Sequence, residues 1–226
     1  MKTPFLAEEL SEKMVRIGKD NGRKMAAVVS DMNTPLGKNI GNILEIKEAI
    51  EVLKSEGSED LTTVCLTLAA NLISLGFDID IEKATEMAKD ALYSGKAFDK
   101  FKEFIALQGG NVSLIESPEK FEKAEFVHKV IAKENGYITF MDAEKIGTAS
   151  VILGAGRESK EDSIDYTAGI ILCKKTHDEV SEGDVLCELH TNDEGSIETA
   201  ERIFLDALSI QNEKGEKTPL IYKVIK

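Results

Sequence analysis

The sequence predicts an α/β first part followed by a smaller α+β part that is rich in strands. Up to Gly110, one short apolar run is surrounded by segments whose apolar residues recur at helical spacing. After Gly110, the chain changes to several short apolar runs that are typical of strands, with one further amphipathic segment. We therefore expect two domains, over residues 1–117 and 118–226, with residues 118–124 as the linker.

A helix is predicted at the beginning of the chain, over residues 4–21. Thr3 is a suitable N-cap, Pro4 suits the first turn, and the apolar face consists of Leu6, Leu10, Met14 and Ile17. The run from Met25 to Val29 that follows is continuously apolar, as in a strand buried on both faces of a parallel sheet. Such a strand needs neighbours, and we expect upstream strands of a larger sheet to provide them.

Further helices are predicted over residues 40–56, 58–75 and 80–93, and from Ser94 to the glycine pair at 109–110. The last of these has an apolar stripe that we expect to be core, formed by Phe98, Phe101, Phe104 and Ile105. In the second part, strands are predicted over residues 126–132, 136–141, 169–173, 185–190 and 220–225. A helix is predicted over residues 196–210, within this β-rich part.

The amino-acid composition argues against several kinds of function for this chain. The 226 residues are 42% hydrophobic and carry a formal net charge of -13, which disfavours binding to a nucleic-acid backbone. Three cysteines, Cys65, Cys173 and Cys187, lack paired short spacing, so we expect buried thiols rather than disulfides or a zinc site. We expect a cytoplasmic protein that does not bind membranes, because we find neither a long apolar run nor a signal pattern.

A segment near the beginning combines an apolar strand, a Pro-Gly turn and an acidic helix. It reads SDMNTPLGKNIGNILEIKEAI over residues 30–50. This segment resembles the pattern S-D-M-x-x-P-L-G-x-x-x-G-N-x-L-E-V-K-E-A of the pyrimidine-nucleoside phosphorylases and thymidine phosphorylases. A second stretch, from Gly136 to Arg157 and including AEKIGTA and LGAGR, is similar to the same family in its spacing.

The resemblance covers almost the whole chain but corresponds to the carboxy-terminal half of that family. It implies a truncated part of the phosphorylase α/β domain, followed by a small sandwich-hybrid, hammerhead-like domain. Because the family carries the first segment midway along its chain, we expect this chain to be a fragment or truncated product without the amino-terminal half.

The turn before Glu48 is the candidate cation site. A Pro-Leu-Gly turn presents backbone carbonyls, and a carboxylate on the following helix could converge on them, which suits a hard cation. The family resemblance implies potassium at the corresponding positions, held by the main-chain oxygens of Leu36 and Asn39 and by the side chain of Glu48. In the family, residues of the upstream half complete this site.

The resemblance also implies the reaction, which is reversible phosphorolysis of uridine, thymidine or deoxyuridine to a free pyrimidine base and (deoxy)ribose 1-phosphate. The intact enzyme would be a homodimer that binds pyrimidine nucleoside and phosphate. The family's S-G-R-G-x-G-H-T-G-G-T segment and its Arg and S-I-x-x-K set lie upstream of the matched region. We therefore assign no catalytic residue to this chain and expect it to be inactive alone.

Several other interpretations remain open. The turn Gly154-Ala155-Gly156-Arg157 has a Gly-rich, phosphate-loop character but lacks the context of a P-loop. Residues 175–186 resemble the hairpin entry of biotinyl and lipoyl carrier domains, without a modifiable lysine at a matching tip. The scattered histidines, His128, His177 and His190, have no partner at a local ligand spacing. The chain could also be a non-catalytic remnant that serves as a scaffold or interaction module.

Overall fold

A computed structural model describes residues 3–157, 159–161 and 163–226. The chain divides into two compact units, and neither is continuous in sequence. The first comprises Met1–Asp31, Val52–Gln108 and Thr218–Lys226, and the second comprises Met32–Glu51 and Gly109–Lys217. The first unit is mainly helical and the second is rich in strands.

The first unit begins with helix α1, Pro4–Asp20, whose N-cap is Thr3 as predicted. The Thr3 hydroxyl accepts the backbone N–H of Leu6 at 3.2 Å, which satisfies one of the free donors of the first turn. Strand β1, Ala27–Ser30, follows and pairs with the last strand of the chain, β9, Ile221–Ile225. The other helices of this unit are α3, Glu59–Phe77, α4, Ile81–Tyr93, and α5, Lys96–Leu107.

The pairing of β1 corrects the prediction of a parallel strand. β1 and β9 are antiparallel, with Val29 opposite Lys223, and they form a two-stranded sheet. Val29 is buried, whereas Ala27 and Val28 are only partly buried. A strand covered on both faces would bury all three side chains. A short apolar run identifies a strand without specifying the direction of its neighbour, and the neighbour here comes from the far end of the chain.

The predicted core stripe of α5 is also corrected, because no residue of this helix is fully buried and Phe104 is 54% exposed. The ring of Phe98 instead lies 5.2 Å from the ammonium groups of Lys54 and Lys102, a cation–π arrangement at the surface of the unit. Helical periodicity predicted the stripe correctly, but it does not specify what covers the stripe.

Helix α3 has one property that we did not predict. Among the described residues, it is the helix that is long and apolar enough to cross a membrane by length and composition. A single such helix is weak evidence, since core helices of soluble proteins pass the same test.

The second unit contains two antiparallel sheets. One has the strand order β2-β5-β7-β3 and the other has the order β6-β4-β8. The strands are β2, Asn39–Ile40, β3, Phe126–Ile131, β4, Gly136–Met141, β5, Gly169–Leu172, β6, Glu179–Val180, β7, Val185–Thr191, and β8, Leu208–Gln211. The helices are α2, Asn42–Leu53, α6, Val112–Glu116, α7, Ala143–Ile152, and α8, Ile197–Asp206, with short 3-10 turns at Pro118–Lys120 and Glu194–Ser196.

The core of the second unit is a single cluster of buried side chains from its strands and from α7 and α8. Ile138, Ile146, Ile170, Leu189 and Phe204 are among its fully buried members. Burying each large apolar side chain contributes about 1.5–3 kcal/mol relative to exposure. This core holds β5 and the loop after it in place, and these elements flank the candidate site described below.

Two sequence boundaries can be compared with the structure. The predicted helix over residues 196–210 ends at Asp206, and its last part is strand β8, which pairs with β4. The predicted division separates residues 1–117 from residues 118–226. In the structure, residues 32–51 belong to the second unit and residues 218–226 belong to the first. Independent folding of residues 118–226 stays a prediction.

Candidate functional site

The candidate site is built on a tight turn that precedes β2. Gly37 lies at the centre of this turn with a φ of 71°, a left-handed conformation that side chains rarely adopt. A Cβ atom at Gly37 would lie 2.4 Å from Glu48 Oε2, so the backbone approaches the carboxylate as closely as only glycine allows. The turn and the Glu48 carboxylate are therefore packed directly against each other.

Glu48 reaches this turn from helix α2 and is only 4% exposed. Its Oε1 accepts the backbone N–H of Lys38 at 2.7 Å, and its Oε2 accepts the backbone N–H of Asn39 at 3.2 Å. A buried carboxylate is costly unless it is hydrogen-bonded, and these two donors reduce that cost. Glu48 thus holds the turn and β2 in register with α2.

The beginning of α2 is held by contacts on both sides of the turn. The side-chain amide of Asn39 donates to the carbonyl of Leu44 at 3.0 Å, and the carboxylate of Glu45 accepts the N–H of Gly41 at 3.1 Å. Gly41 itself has a φ of 132° and leaves no room for a Cβ, which would lie 2.4 Å from the carbonyl oxygen of Ala168. The helix therefore starts in a defined position beside β5.

The loop after β5 closes the other side of the turn. The ammonium group of Lys175 donates to the carbonyl of Gly37 at 2.7 Å, and the hydroxyls of Thr34 and Thr176 are 3.0 Å apart. The N–H of Leu172 donates to the carbonyl of Lys38 at 2.8 Å. Residues more than 130 positions apart in the sequence therefore meet at this turn.

Of the predicted cation ligands, Asn39 and Glu48 are in direct contact, and Leu36 precedes Gly37 in the same turn. Each oxygen of the Glu48 carboxylate accepts one backbone N–H and retains capacity for another partner. Coordination by the main-chain oxygens of Leu36 and Asn39 stays a prediction. Within the described parts of the chain, no group of three or more His, Cys, Asp or Glu side chains could hold a metal.

The Gly154–Arg157 loop does not have the geometry of a phosphate cradle at its first two residues. The N–H groups of Gly154 and Ala155 donate to the carbonyls of Val151 and Ser150, at 2.9 and 3.0 Å, so they close the end of α7. The amide of Asn42 donates to the carbonyl of Ala155 at 3.1 Å. The glycines thus terminate a helix, as at many helix C-termini.

The carrier-like hairpin also has a structural explanation. Lys174 forms an ion pair with Asp184 at 2.9 Å and donates to the carbonyl of Glu179 at 2.9 Å, while Lys175 binds the turn through Gly37. Both lysines of the hairpin entry are therefore engaged in holding the unit together, which does not suit a lysine that carries a swinging cofactor.

The structure shows a contact between a histidine and a glutamate that sequence spacing did not predict. His128 Nε2 lies 2.7 Å from Glu201 Oε2, between β3 and α8, although the two residues are 73 positions apart. Glu201 also lines a cavity of about 580 Å³ that has acidic and basic side chains, including Glu198 and Arg202. Only the pairing of β3 with β7 and the packing of α8 bring these groups together, so no local pattern could have indicated them.

His190 has a different environment on β7. Its Nε2 has no hydrogen-bond partner among the described residues and lies 3.8 Å from Glu188 Oε2, which is too long for a hydrogen bond. Burial lowers the pKa of His190, the nearby Glu188 carboxylate opposes this effect, and the Lys47 ammonium adds to it. This histidine is a partly buried structural group of the sheet.

The expectation of buried thiols is correct for one cysteine only. Cys187 is fully buried in the core cluster, and this burial raises the pKa of its thiol. Cys65, on α3, and Cys173, directly after β5, are exposed free thiols.

Comparison with known proteins gives two results. The family model for the pyrimidine nucleoside phosphorylase C-terminal domain matches residues 137–211, within the β-rich unit. Over the whole chain, the sequence is 43% identical to a pyrimidine-nucleoside phosphorylase of Staphylococcus epidermidis, of which it covers 52%. Over 193 residues, it is 46% identical to a pyrimidine-nucleoside phosphorylase of Staphylococcus aureus, of which it covers 45%. The chain therefore spans about half the length of the curated relatives it matches.

Proposed function

We propose that the chain belongs to the pyrimidine-nucleoside phosphorylase family and forms the carboxy-terminal half of an enzyme that cleaves pyrimidine nucleosides with phosphate. The reaction would be reversible phosphorolysis of uridine, thymidine or deoxyuridine to the free base and (deoxy)ribose 1-phosphate, a pentosyl transfer. The observation that carries this proposal is 43% identity over all 226 residues to one such phosphorylase.

In this proposal the chain supplies a rigid brace and part of a cleft wall, and it supplies no catalytic residue. The groups that bind phosphate and grip the base would belong to the half of the enzyme outside the matched region. The helical unit would be part of the α/β domain, and the β-rich unit would be the sandwich-hybrid, hammerhead-like terminal domain. We further propose that the complete enzyme is a cytoplasmic homodimer.

The proposed cation site is the turn before β2, with potassium bound by the main-chain oxygens of Leu36 and Asn39 and by the carboxylate of Glu48. The donor set consists of oxygens only, one of them a buried carboxylate, which suits a hard cation. When bound, the ion would add a fixed positive charge beside a buried negative one. Glu48 would orient the turn by its two backbone hydrogen bonds in either case.

Base release tests this function directly. The chain is purified alone and also after coexpression with the part of the S. epidermidis phosphorylase that lies outside the matched region. We expect no detectable phosphorolysis of thymidine or uridine by the chain alone, and turnover by the coexpressed pair that disappears when this chain is omitted.

Two results would count against the proposal. Turnover by the rigorously purified chain alone would mean that chemistry resides in this half. A stable but inactive complex of the two halves would favour the alternative, a scaffold or interaction module of the same fold.

A further inference from the structure

Lys175 makes the contact from which this inference is drawn. Its ammonium group donates to the carbonyl of Gly37 at 2.7 Å. The backbone of Lys175 is itself fixed, because its N–H donates to Asp178 Oδ2 at 2.7 Å and its carbonyl accepts the N–H of Asp178 at 3.0 Å. The side chain therefore projects a positive charge onto the turn from a rigid base.

Gly37 connects this positive charge with the buried negative charge of Glu48. The position of a Cβ on Gly37 lies within 2.8 Å of both oxygens of the Glu48 carboxylate, while its carbonyl oxygen accepts from Lys175. A buried carboxylate, only 4% exposed here, is costly unless it is hydrogen-bonded and paired with a positive charge. The structure supplies the hydrogen bonds through Lys38 and Asn39, and Lys175 supplies a cation at the same turn.

We propose that Lys175 is a tethered cation that orders the Gly37 turn, so that the turn stays closed without a free monovalent cation. Lys175 is thus a positioning residue that acts on the candidate cation site through the Gly37 carbonyl. The part of this inference that concerns potassium rests on the proposed function.

The neighbouring Lys174 provides a matched control. It is also half-buried and forms an ion pair, but with Asp184 in its own hairpin. Within the described residues, its ammonium group forms no hydrogen bond with the Gly37 turn. Replacing Lys174 removes one positive charge from the same loop, whereas replacing Lys175 also removes the donor to Gly37. Comparing the two substitutions separates the effect of the contact from that of net charge.

The test measures amide hydrogen exchange at Lys38 and Asn39, the two donors to Glu48, in the full chain. Lys175→Met, Lys174→Met and the charge-conserving Lys175→Arg are compared with the unsubstituted chain in choline chloride and in potassium chloride. We expect the unsubstituted chain to be protected already in choline chloride, because Lys175 holds the turn without a free cation. Because hydrogen bonds with a charged partner are the stronger ones, Lys175→Met should lose protection about tenfold or more in choline chloride, with Lys174→Met unchanged and Lys175→Arg partly protected.

The two salts distinguish this inference from the proposed cation site. If potassium chloride restores protection to Lys175→Met, both the tethered cation and the potassium site are supported. If protection is lost equally in both salts, the role of Lys175 stands and the potassium site in this chain is rejected. Unchanged protection of Lys175→Met in choline chloride, or an equal loss in Lys174→Met, would overturn the role of Lys175.

Discussion

The carboxylate of Glu48 accepts the backbone N–H of Lys38 at 2.7 Å, which ties a helix to the turn ten residues before it. Glu48 is nearly inaccessible, so this bond is shielded from water and from competing donors. The same carboxylate leaves room only for glycine at position 37. One acidic side chain thereby determines the geometry of the turn, whether or not a cation is bound.

Replacing Glu48 by glutamine should therefore destabilise the chain. It should also remove the stabilisation that we expect potassium to give. The amide nitrogen of glutamine cannot accept an N–H, so one of the two backbone donors loses its partner, at a cost of about 1–3 kcal/mol. Urea unfolding and melting in potassium chloride and in choline chloride measure both effects.

The control for that substitution is Glu45→Gln on the same helix. Glutamine keeps an acceptor oxygen for the N–H of Gly41, so we expect a change of less than about 0.5 kcal/mol. Equal responses of the two variants to potassium would argue against a cation site at Glu48.

Gly37→Ala should be much more destabilising than Gly183→Ala. Both glycines have positive φ values, 71° and 93°, so both substitutions carry the backbone cost of about 1–2 kcal/mol. At Gly183 the new methyl group meets nothing within 4 Å, whereas at Gly37 it would collide with Glu48. Overpacking should therefore lower the free energy of unfolding of Gly37→Ala by about 1–3 kcal/mol more than that of Gly183→Ala. Denaturant unfolding measures this difference. Similar losses would indicate that the turn and Glu48 move apart easily.

His190 should make the stability of the chain depend on pH below neutrality. Burial lowers its pKa in the folded state below about 6.5, the value of an unperturbed histidine, so the unfolded chain binds the proton more tightly. This contribution is complete above about pH 6.5 and is lost as the pH falls from there through the folded-state pKa.

The substitution that tests this linkage is His190→Gln, with His128→Gln as the second histidine variant of the same unit. The free energy of unfolding, measured from pH 8 to pH 5, should fall less steeply in His190→Gln than in the unsubstituted chain. An unchanged slope in His190→Gln would show that other groups cause the acid sensitivity.

The β-rich half should fold independently more readily than the helical half. Residues 118–226 contain the core cluster around Phe204, but their last strand, Ile221–Ile225, pairs with Ala27–Ser30, which lies outside this piece. We expect protected amides in β3, β4 and β7, and rapid exchange in β9, when the piece is expressed alone.

Residues 1–117 provide the comparison. Strand β1 loses its partner β9 in this piece, and the apolar side chains of α1, including Phe5 and Ile17, are exposed by 69% and 60%. We therefore expect low solubility and little protection. A well-protected first piece beside an unfolded second one would contradict the predicted division at 117/118.

Parts of the site could be predicted from local sequence. Thr3 and Asp80 cap helices as their residue types indicate, and the turn at Gly37 follows from its Pro-Leu-Gly sequence. The convergence of Glu48 on this turn was expected from chemistry and from the family resemblance together. The contact of Lys175 with Gly37 could not be predicted, because it joins residues 138 positions apart through the pairing of β2 with β5.

The amino-acid sequence by itself indicated the helical character of the first part, the strands of the second, and the Pro-Leu-Gly turn before α2. These follow from local patterns, because periodicity, caps and turn residues act over a few positions. Only the tertiary structure decided that β1 is antiparallel to β9, that the phenylalanine stripe of α5 is not buried, and that His128 meets Glu201. Partners of this kind depend on which distant segments pack together, and burial of a common core, rather than any local preference, selects them.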